Sequence, residues 1–367
     1  MQGNVLGQNG NSAIQSFFTI YQQMTEPVKK EGIWIKSNEK IKKFYYQTDD
    51  VREPTKVTDL PSFAEGEPQR AIIKDGIMYV FGSSVSPGNS AYKYNIKENT
   101  FTQIANLPYA SNKNLSITSD ATDIYIFYHD GGVDGKLIKY NTNNDTYTSI
   151  TSYARSAVIE KIENNIYFFG SSRIEKYDVL TNERTEIKEL YGDKEILTSQ
   201  GTAIATNSNT VYVFGMSDES QDFIYKYNIT ANEYEPIRRL GFPYYYASRI
   251  SNAIYLSNRY DYAKYIYGAN AYSEYSLNLE SSIENELYTL SNNFNTLYGI
   301  DCRKKSVVSL EPKLTNTNDG IHIIVNTCNL YSNADALSVI DVRKVVSGEE
   351  QSIEAYIGNG IEWKLLN

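Results

Sequence analysis

Seven short segments decide the fold of this chain: Ile33-Trp34-Ile35, Met78-Tyr79-Val80, Ile124-Tyr125-Ile126, Ile166-Tyr167-Phe168, Val211-Tyr212-Val213, Ile254-Tyr255-Leu256 and Leu297-Tyr298-Gly299. Each segment centres on an aromatic residue with mostly apolar neighbours, a composition that favours β-strands. The central aromatic residues follow one another at intervals of 45, 46, 42, 45, 43 and 43 residues. A repeat of this length is typical of a β-propeller or a solenoid, in which each repeat is one supersecondary unit.

The second repeat shows the predicted unit most fully. We predict strands at residues 70–74, 77–82, 91–95 and 101–104, the first two joined by the Asp75-Gly76 turn. Asn, Asp and Gly at such turns favour tight hairpins, and four strands in a meander form one propeller blade. The sequence therefore predicts an all-β protein built on a seven-bladed propeller. Six blades are the alternative, because the seventh unit, residues 286–325, is degenerate.

The first repeat lacks a first strand. Its segments at residues 32–36, 43–47 and 55–61 match the second, third and fourth strands of the unit. We expect the missing strand to come from beyond the seventh unit, from residues 320–325 or 337–342. Such a strand would pair the two ends of the ring and remove the exposed sheet edges of a linear array.

The predicted organisation has three parts. Residues 1–30 form an N-terminal attachment segment, residues 31–344 the propeller, and residues 345–367 a C-terminal β tail. Within the tail, Gly358-Asn359-Gly360 predicts a hairpin turn.

The repeated strands and turns resemble the kelch repeat over roughly residues 32–310. The unit has a strand ending in aromatic-apolar-Phe-Gly, then Tyr-Asn or Tyr-Asp, then Thr-Asn-Glu before an aromatic residue, and finally Leu-Pro. The second glycine of the family's pair is replaced in each unit. The family's fourth-strand tryptophan is replaced by Phe101, Tyr147, Tyr234 and, in one unit, Thr185. The resemblance implies a kelch-like β-propeller.

Composition and charge argue against several partners and locations. The chain has 367 residues, 33 of them tyrosine, and a formal net charge of −9. Nucleic acids and anionic membrane surfaces reward basic patches, so we expect neither as a partner. No apolar run reaches the ~20 residues of a membrane helix, and the N-terminus lacks the pattern of a signal peptide. We expect Cys302 and Cys328 to be free thiols, with one disulfide as the alternative.

Signals for catalysis are sparse. The chain has two histidines, lacks a Gly-x-Ser-x-Gly nucleophile elbow, and shows no clustered spacing of zinc ligands. The loop at residues 129–135 carries oxygen ligands that suit calcium. Its spacing does not fit an EF-hand, and we interpret it as a glycine-rich hairpin loop. We therefore expect neither enzyme activity nor a cofactor.

Tyrosine-rich loops give the stronger functional signal. In a kelch-like ring, the loops between second and third strands share one face with the loops between blades. The candidate ligand-binding residues in these loops are Tyr260, Asp261, Tyr262, Arg259, Tyr244, Tyr245, Tyr246, His129 and Asp130. Tyrosine together with arginine is typical of sites that bind sugar rings or anchor protein interfaces. The alternative for the tyrosines is packing within the strands of a blade.

Both ends of the chain resemble segments of bacteriophage tail proteins. Glu26-Pro27 followed by Glu31-Gly32-Ile33-Trp34-Ile35-Lys36-Ser37 is similar to a Pro-x(n)-Gly-x-x-Trp-x-x-Thr/Ser stretch of tail and tail-fibre proteins. Ala355-Tyr356-Ile357-Gly358-Asn359-Gly360-Ile361-Glu362-Trp363 is similar to their Gly-Asn-Gly-x-x-Trp closing segments.

The resemblance implies a non-enzymatic binding component of a phage tail or phage-tail-like bacteriocin (tailocin), made in a bacterial cytoplasm and carried on the virion or particle. The N-terminal segment would contact other tail or baseplate proteins, and the propeller loops would contact a host-surface glycan or protein. The alternatives are a purely structural tail component, a kelch-fold carbohydrate-active enzyme and a cytoplasmic kelch adaptor.

Overall fold

The computed structural model describes residues 20–39, 41, 43–48, 52–64, 66, 68–83, 88–108, 115–129, 135–153, 157–170, 173–189, 196–217, 222–240, 246–250, 253–258, 261–267, 271–276, 287–293, 296–312, 314, 317–326, 338–351, 353–359 and 362–366. Regular structure in these ranges is β-strand, apart from one 3-10 turn at Ser62–Ala64. No helix among these residues has the length and apolarity to span a membrane.

The first sixteen strands are β1 (Ile20–Gln22), β2 (Glu31–Ile35), β3 (Phe44–Thr48), β4 (Arg52–Asp59), β5 (Pro68–Lys74), β6 (Ile77–Ser83), β7 (Ala91–Asn95), β8 (Thr100–Gln103), β9 (Leu115–Ser119), β10 (Asp123–His129), β11 (Gly135–Asn141), β12 (Thr146–Tyr153), β13 (Ala157–Ile162), β14 (Asn165–Gly170), β15 (Arg173–Asp178) and β16 (Arg184–Glu189). The others are β17 (Ile196–Asn207), β18 (Thr210–Ser217), β19 (Asp222–Asn228), β20 (Glu233–Arg239), β21 (Tyr246–Ile250), β22 (Ala253–Ser257), β23 (Asp261–Ile266), β24 (Ala271–Ser276), β25 (Leu287–Asn293), β26 (Thr296–Asp301), β27 (Ser306–Pro312), β28 (Gly320–Asn326), β29 (Ser338–Val346), β30 (Glu349–Gln351), β31 (Ala355–Asn359) and β32 (Trp363–Leu365).

Six four-stranded sheets form a closed ring. In order they are β5–β8, β9–β12, β13–β16, β17–β20, β21–β24, and β25–β27 with β4, here numbered sheets 1 to 6. Their first strands contact one another in the cyclic order β5, β9, β13, β17, β21, β25 and again β5. Neighbouring strands within each sheet are antiparallel, as in a meander. This ring of sheets is a β-propeller, which confirms the predicted fold class.

The N-terminal part of the chain closes the ring. Strand β4 pairs with β27, so that Asp59 lies opposite Ser306 and Arg52 opposite Pro312. The ends of the ring therefore pair, as expected, but the strand comes from the first repeat. The prediction that residues 320–325 or 337–342 supply it is wrong, because β28 and β29 belong to a different sheet.

The predicted count of seven blades is not confirmed. Among the described strands, the three that derive from the first repeat, β2, β3 and β4, lie in three different sheets. The ring of six sheets matches the alternative count. The triplet around Trp34 does form a buried strand, but a β-favouring composition identifies a buried strand and does not identify its partners.

The two remaining sheets pack face to face. One has the strand order β1-β2-β31-β32, the other β3-β28-β29-β30. Ile33, Ile35 and Ala355 of the first share a buried cluster with Ile321 and Ile323 of the second. We name this pair of sheets the end sandwich, because segments from both ends of the chain build it. Its first sheet draws strands from all three predicted parts of the chain.

The end sandwich sits on one face of the propeller. The chain passes from β3 into β4 and from β27 towards β28, so both connections leave sheet 6 at the edge where Arg52 pairs with Pro312. In the other sheets this edge carries the turns between third and fourth strands, and we name it the hairpin face. Ile324 and Val345 of the sandwich join a buried cluster with Leu310 of β27. The opposite edge, where second strands connect to third strands, is the loop face.

A repeated hydrogen bond shapes the turns after the third strands. The hydroxyl of a tyrosine on the third strand donates to the side-chain oxygen of an asparagine five residues later. The pairs are Tyr94–Asn99 at 2.9 Å, Tyr177–Asn182 at 2.6 Å and Tyr227–Asn232 at 3.1 Å. The three asparagines have φ values of 53°, 60° and 52°, in the left-handed region that asparagine tolerates better than most residues. The repeated Tyr and Asn positions therefore have one conformational cause.

Candidate functional site

The structure describes part of the predicted tyrosine site. Tyr246 begins β21 and is 6% exposed, and Tyr262 on β23 is 2% exposed. Both belong to a buried cluster with Leu297 and Leu310. Their burial favours the alternative that these tyrosines pack within the sheet over contact with a ligand.

The other predicted residues are spread over two sheets or fall outside the described ranges. His129 ends β10 in sheet 2, and Asp261 begins β23 in sheet 5. Both strand ends lie on the loop face. Five predicted residues lie outside the described residues: Asp130, Tyr244, Tyr245, Arg259 and Tyr260.

The sequence prediction missed a polar cavity at the centre of the ring. First strands β5, β9, β13, β17 and β21 line a space of about 380 Å³. Its charged lining residues are Arg70, Glu160, Lys161 and Arg249. Each of these residues lies on a strand with few other charged residues. They line one cavity because closure of the ring places β5, β13 and β21 around the same space.

Polar side chains in this central cavity complete the hydrogen bonding of the first strands. Each first strand is the inner edge of its sheet, and edge backbone groups need partners. The amide N–H of Ile159 donates to Ser116 Oγ at 2.9 Å. The amide N–H of Ala205 donates to Glu160 Oε1 at 2.8 Å, and Arg249 Nη1 donates to the Ala205 carbonyl at 3.0 Å. Side chains of sheets 3 and 5 therefore hold the edge of sheet 4 from both sides.

Glu160 is the titratable group at the centre of this arrangement. Its Oε2 accepts a hydrogen bond from Thr118 Oγ1 at 3.2 Å. Burial raises the pKa of Glu160 to about 7, while the hydrogen bonds from Ala205 and Thr118 and the charge of Arg249 act in the opposite direction. Its carboxyl group consequently changes charge near neutral pH, well above the range of an exposed glutamate.

Arg70 reaches across the central cavity. It lies on β5 of sheet 1, and its Nη2 donates to the carbonyl oxygen of Gly201 on β17 of sheet 4 at 3.2 Å. Its guanidinium carbon lies 5.1 Å from the centre of the Tyr246 ring in sheet 5, a cation–π geometry. Burial lowers the pKa of Arg70, but a guanidinium keeps its charge in proteins. Arg70 therefore places a permanent positive charge inside the ring.

Lys161 has a carboxylate partner towards the hairpin face. Its Nζ lies 3.3 Å from Asp120 Oδ2 and 5.8 Å from the centre of the Tyr125 ring. The Tyr125 hydroxyl donates to the same Asp120 oxygen at 3.0 Å. Burial acts to raise the pKa of Asp120, but these hydrogen bonds, those from the Thr122 and Asp123 amides and the Lys161 charge outweigh it, so the pKa is lowered. Asp120 therefore stays ionised beside Lys161.

A second candidate surface is the outer face of the end sandwich. The ring of Trp34 stacks on Tyr356 with centroids 4.6 Å apart, and Trp363 lies edge-on at 5.8 Å. Tyr21 contacts Trp363 at 6.0 Å, and Trp34 Nε1 donates to the Gln23 carbonyl at 2.9 Å. The segments at residues 31–35 and 355–359 are thus neighbours in one sheet.

Exposed apolar residues adjoin this aromatic cluster: Val28 follows Pro27, whose carbonyl accepts a hydrogen bond from Trp363 Nε1 at 3.4 Å, and Leu365 pairs with Tyr356. Val28 is fully exposed at 100%, Leu365 is 54% exposed and Met24 is 47% exposed. Gly358 is required here, because a Cβ at this position would lie 2.4 Å from the carbonyl oxygen of Lys30. The close approach of β2 to β31 therefore depends on the glycine of the closing segment.

Metal ligands and cysteines add no further site in the described residues. Within them, no three His, Cys, Asp or Glu side chains are grouped as metal ligands would be. Cys302 is half-buried, and its Sγ lies 3.7 Å from the carbonyl oxygen of Gly66. Cys328 lies outside the described residues, so the expectation of two free thiols stays a prediction.

Comparison with known proteins gives similarity to solved structures. No family model matches the chain, and no curated protein sequence matches it. YjhT is 11% identical, with 76% of this chain and 99% of that chain covered and a TM-score of 0.49. A chain of a nidogen/laminin complex is 10% identical, with 76% and 92% covered and a TM-score of 0.46. TolB from Acinetobacter baumannii is 10% identical, with 66% and 54% covered and a TM-score of 0.41.

These three are β-propeller-like proteins. At these scores they add nothing on function, and the assignment of the fold rests on the sheet order and the cyclic contacts. The chain is therefore defined as a β-propeller protein with an end sandwich on its hairpin face.

Proposed function

We propose that this chain is a non-enzymatic binding component of a phage tail or phage-tail-like particle, with a kelch-like propeller. In this proposal the end sandwich attaches to other tail or baseplate proteins. The loop face of the propeller contacts a glycan or protein on the host surface. The observation that carries the proposal is the stacking of Trp34 on Tyr356, which joins the two tail-like segments in one sheet.

The position of the end sandwich supports separate surfaces for attachment and for recognition. The sandwich sits on the hairpin face, while the connections proposed for recognition leave the opposite face. A rigid scaffold that presents loops on its free side is a common arrangement for binding. The buried contacts of Ile324 and Val345 with the propeller would hold the two parts in a fixed orientation.

The exposed apolar residues of the sandwich are the proposed contact with the particle. Val28 and Leu365 are exposed large apolar residues beside the aromatic cluster. Exposed apolar groups that lie close together mark interaction sites more often than isolated ones. A charged residue at either position would oppose burial in an apolar interface while leaving the sandwich core unchanged.

Pull-down from cells that produce the particle tests attachment, with partners identified by mass spectrometry. We expect the wild-type chain to retain tail or baseplate proteins and the V28D/L365D variant to lose them. Leu180→Asp is the matched control, because Leu180 is 70% exposed on a propeller turn. Equal recovery of tail proteins by the wild type and V28D/L365D would reject the proposed attachment surface. Absence of tail proteins from every pull-down would reject the proposal that the chain belongs to a phage tail or tail-like particle.

Binding to whole host cells tests recognition separately. We expect the isolated chain to bind cells and the R259A/Y260A variant to bind at least tenfold more weakly, since one arginine or tyrosine anchor contributes about 2 kcal/mol or more. Tyr262 is unsuitable for this test because it is buried. Retention of tail proteins without binding to host cells would favour a purely structural component.

A further inference from the structure

We infer that His322 makes the junction between the end sandwich and the propeller sensitive to acid. The junction is the buried layer between strands β28 and β29 and sheet 6. A neutral imidazole leaves the junction closed, and a proton on the ring favours its opening while the ring of sheets stays intact. This inference is independent of the proposed attachment to a particle, because it concerns two parts of one chain.

The register of the sandwich places His322 on the surface that faces the propeller. Successive side chains of a strand point to opposite faces, so His322 shares a face of β28 with Ile324. Ile324 packs with Leu310 of β27 in a buried cluster. Arg343, the cross-strand partner of His322 on β29, has its Nη2 3.9 Å from Oε2 of Glu311 on β27. His322 therefore lies in the junction.

The imidazole of His322 is buried and has one hydrogen bond within the described part of the chain. The residue is 1% exposed, and the ring of Tyr45 on β3 stacks on it with centroids 4.8 Å apart. Its Nε2 lies 2.8 Å from the carbonyl oxygen of Asn318. A carbonyl oxygen can only accept, so Nε2 carries the hydrogen and Nδ1 presents a lone pair. Nδ1 is buried and has no hydrogen-bond partner among the described residues.

A proton on Nδ1 would bring two costs into the closed junction. The new N–H would be a buried donor without an acceptor, and the positive charge would be held away from water. Burial lowers the pKa of His322, although the Asn318 carbonyl and the charge of Glu350 act in the opposite direction. The closed junction therefore favours the neutral ring, and acid favours a state in which water reaches it.

The carboxylates near His322 are already paired with Arg343. Arg343 Nε lies 2.8 Å from Asp341 Oδ2, and Arg343 Nη1 lies 2.9 Å from Glu350 Oε2. A cation at His322 would lie beside the guanidinium and would share these carboxylates with it. The titratable and charged groups that face His322 from the neighbouring elements are Lys43 and Tyr45 on the β3 side, Asp341 and Arg343 on β29, Glu350 on β30 and Glu311 on β27.

The direction of the pH effect follows from the protons bound in the closed and open states. An exposed histidine has a pKa of about 6.5, and the closed junction holds the pKa of His322 below that value. The open state therefore binds more protons, and the closed state loses stability as the pH falls through 6.5. If the buried ring stayed neutral throughout, the opening equilibrium constant would rise about 25-fold from pH 7 to pH 5, which is the upper limit.

Labelling of a buried thiol measures opening of the junction. Val345→Cys puts a thiol at a position that is 1% exposed in the cluster between the sandwich and the propeller. Dithiodipyridine, a disulfide reagent that reacts with thiols at acid pH, is used at low concentration, so that the rate is proportional to the open fraction. Peptide mass spectrometry separates this thiol from Cys302 and Cys328.

The rate of labelling in V345C is divided by the rate in V345C/H322Q at the same pH, which cancels the reactivity of the thiol itself. We expect this ratio to rise about three- to 25-fold from pH 7 to pH 5, because glutamine does not titrate. Val80→Cys is the matched control, since Val80 is fully buried in sheet 1, and its ratio should not change with pH. His129→Gln, which replaces the other histidine, should leave the pH dependence of V345C labelling unchanged.

Two results would overturn the inference. One is a ratio for V345C that is the same at pH 5 and pH 7. The other is an equal rise for V80C, which would mean that acid opens the propeller as well. If V345C fails to fold, urea unfolding followed by tryptophan fluorescence decides the question, because both tryptophans lie in the end sandwich. The wild-type chain should then lose more stability than H322Q between pH 7 and pH 5, and equal losses would overturn the inference.

Discussion

Replacement of Glu160 by glutamine should stabilise the folded protein at alkaline pH. Burial raises the pKa of this carboxyl from 4.5 to about 7, so the ionised form is destabilised in the folded state. One unit of pKa corresponds to 1.36 kcal/mol, and the shift therefore costs about 3 kcal/mol of folding free energy at pH 8. Glutamine removes this cost, because it is neutral at every pH.

The direction in which folding stability changes with pH follows from the number of protons bound in the folded and unfolded states. Between pH 4.5 and pH 7 the folded chain holds a proton on Glu160 more often than the unfolded chain does. Stability therefore falls as pH rises through this interval, and the full penalty remains above pH 7. The amide oxygen of glutamine can still accept from the Ala205 amide, and its NH₂ group can donate to Thr118 Oγ1. We expect the advantage of Glu160→Gln over wild type to be small at pH 5 and about 3 kcal/mol at pH 8.

Urea unfolding followed by far-ultraviolet circular dichroism measures this difference at pH 5, 6, 7 and 8. Subtraction of the wild-type free energy of unfolding at each pH removes the contribution of the other ionisable groups. Glu98→Gln is the matched control, because it removes the same charge at an exposed turn, and it should give a difference near zero throughout. An advantage of Glu160→Gln that stays constant from pH 5 to pH 8, or that shrinks as pH rises, would refute the reasoning.

Substitutions at three further positions test packing and turn geometry by thermal or urea unfolding. Asn232→Ala should cost about 2–3 kcal/mol, because it removes the hydrogen bond from the buried Tyr227 and puts a Cβ without a side-chain hydrogen bond at φ 52°. Asn232→Gly should cost about 1 kcal/mol less, and an equal loss for both would exclude a role for φ. Gly358→Ala should destabilise the end sandwich by about 3 kcal/mol or more, because its Cβ meets the Lys30 backbone at 2.4 Å; an unchanged melting temperature would contradict this. Tyr262→Ala should cost about 4 kcal/mol and Tyr262→Phe far less, and a neutral alanine variant would show that this side chain is not packed.

Local sequence patterns predicted the strands well and the partners of some strands poorly. The six triplets from Tyr79 to Tyr298 all lie in second strands of the ring, because a β-branched and aromatic run needs burial on both faces. The triplet around Trp34 has the same composition and pairs with β31, which lies more than three hundred residues away. Composition cannot distinguish these outcomes, since both partners provide equivalent burial and backbone hydrogen bonds.

For the functional sites too, the sequence pattern indicated some residues and missed others. The sequence pattern indicated the tyrosine-rich loops because aromatic residues favour interfaces, but Tyr262 packs in a buried cluster between sheet 5 and sheet 6, where an aromatic ring is equally well suited. Arg70, Glu160 and Arg249 gave no sequence signal, because single charged residues are usual in edge strands. They become a group only when the ring brings β5, β13 and β21 around one axis.

The closure of the ring and the end sandwich depend on each other. Strand β4 completes sheet 6, and the chain enters it directly from β3 of the sandwich, while β27 leads out towards β28. The seven paired positions between β4 and β27 therefore hold together two strands whose continuations are anchored in the same sandwich. The closing strand of the ring and one sheet of the end sandwich are therefore held in place by the same two chain connections.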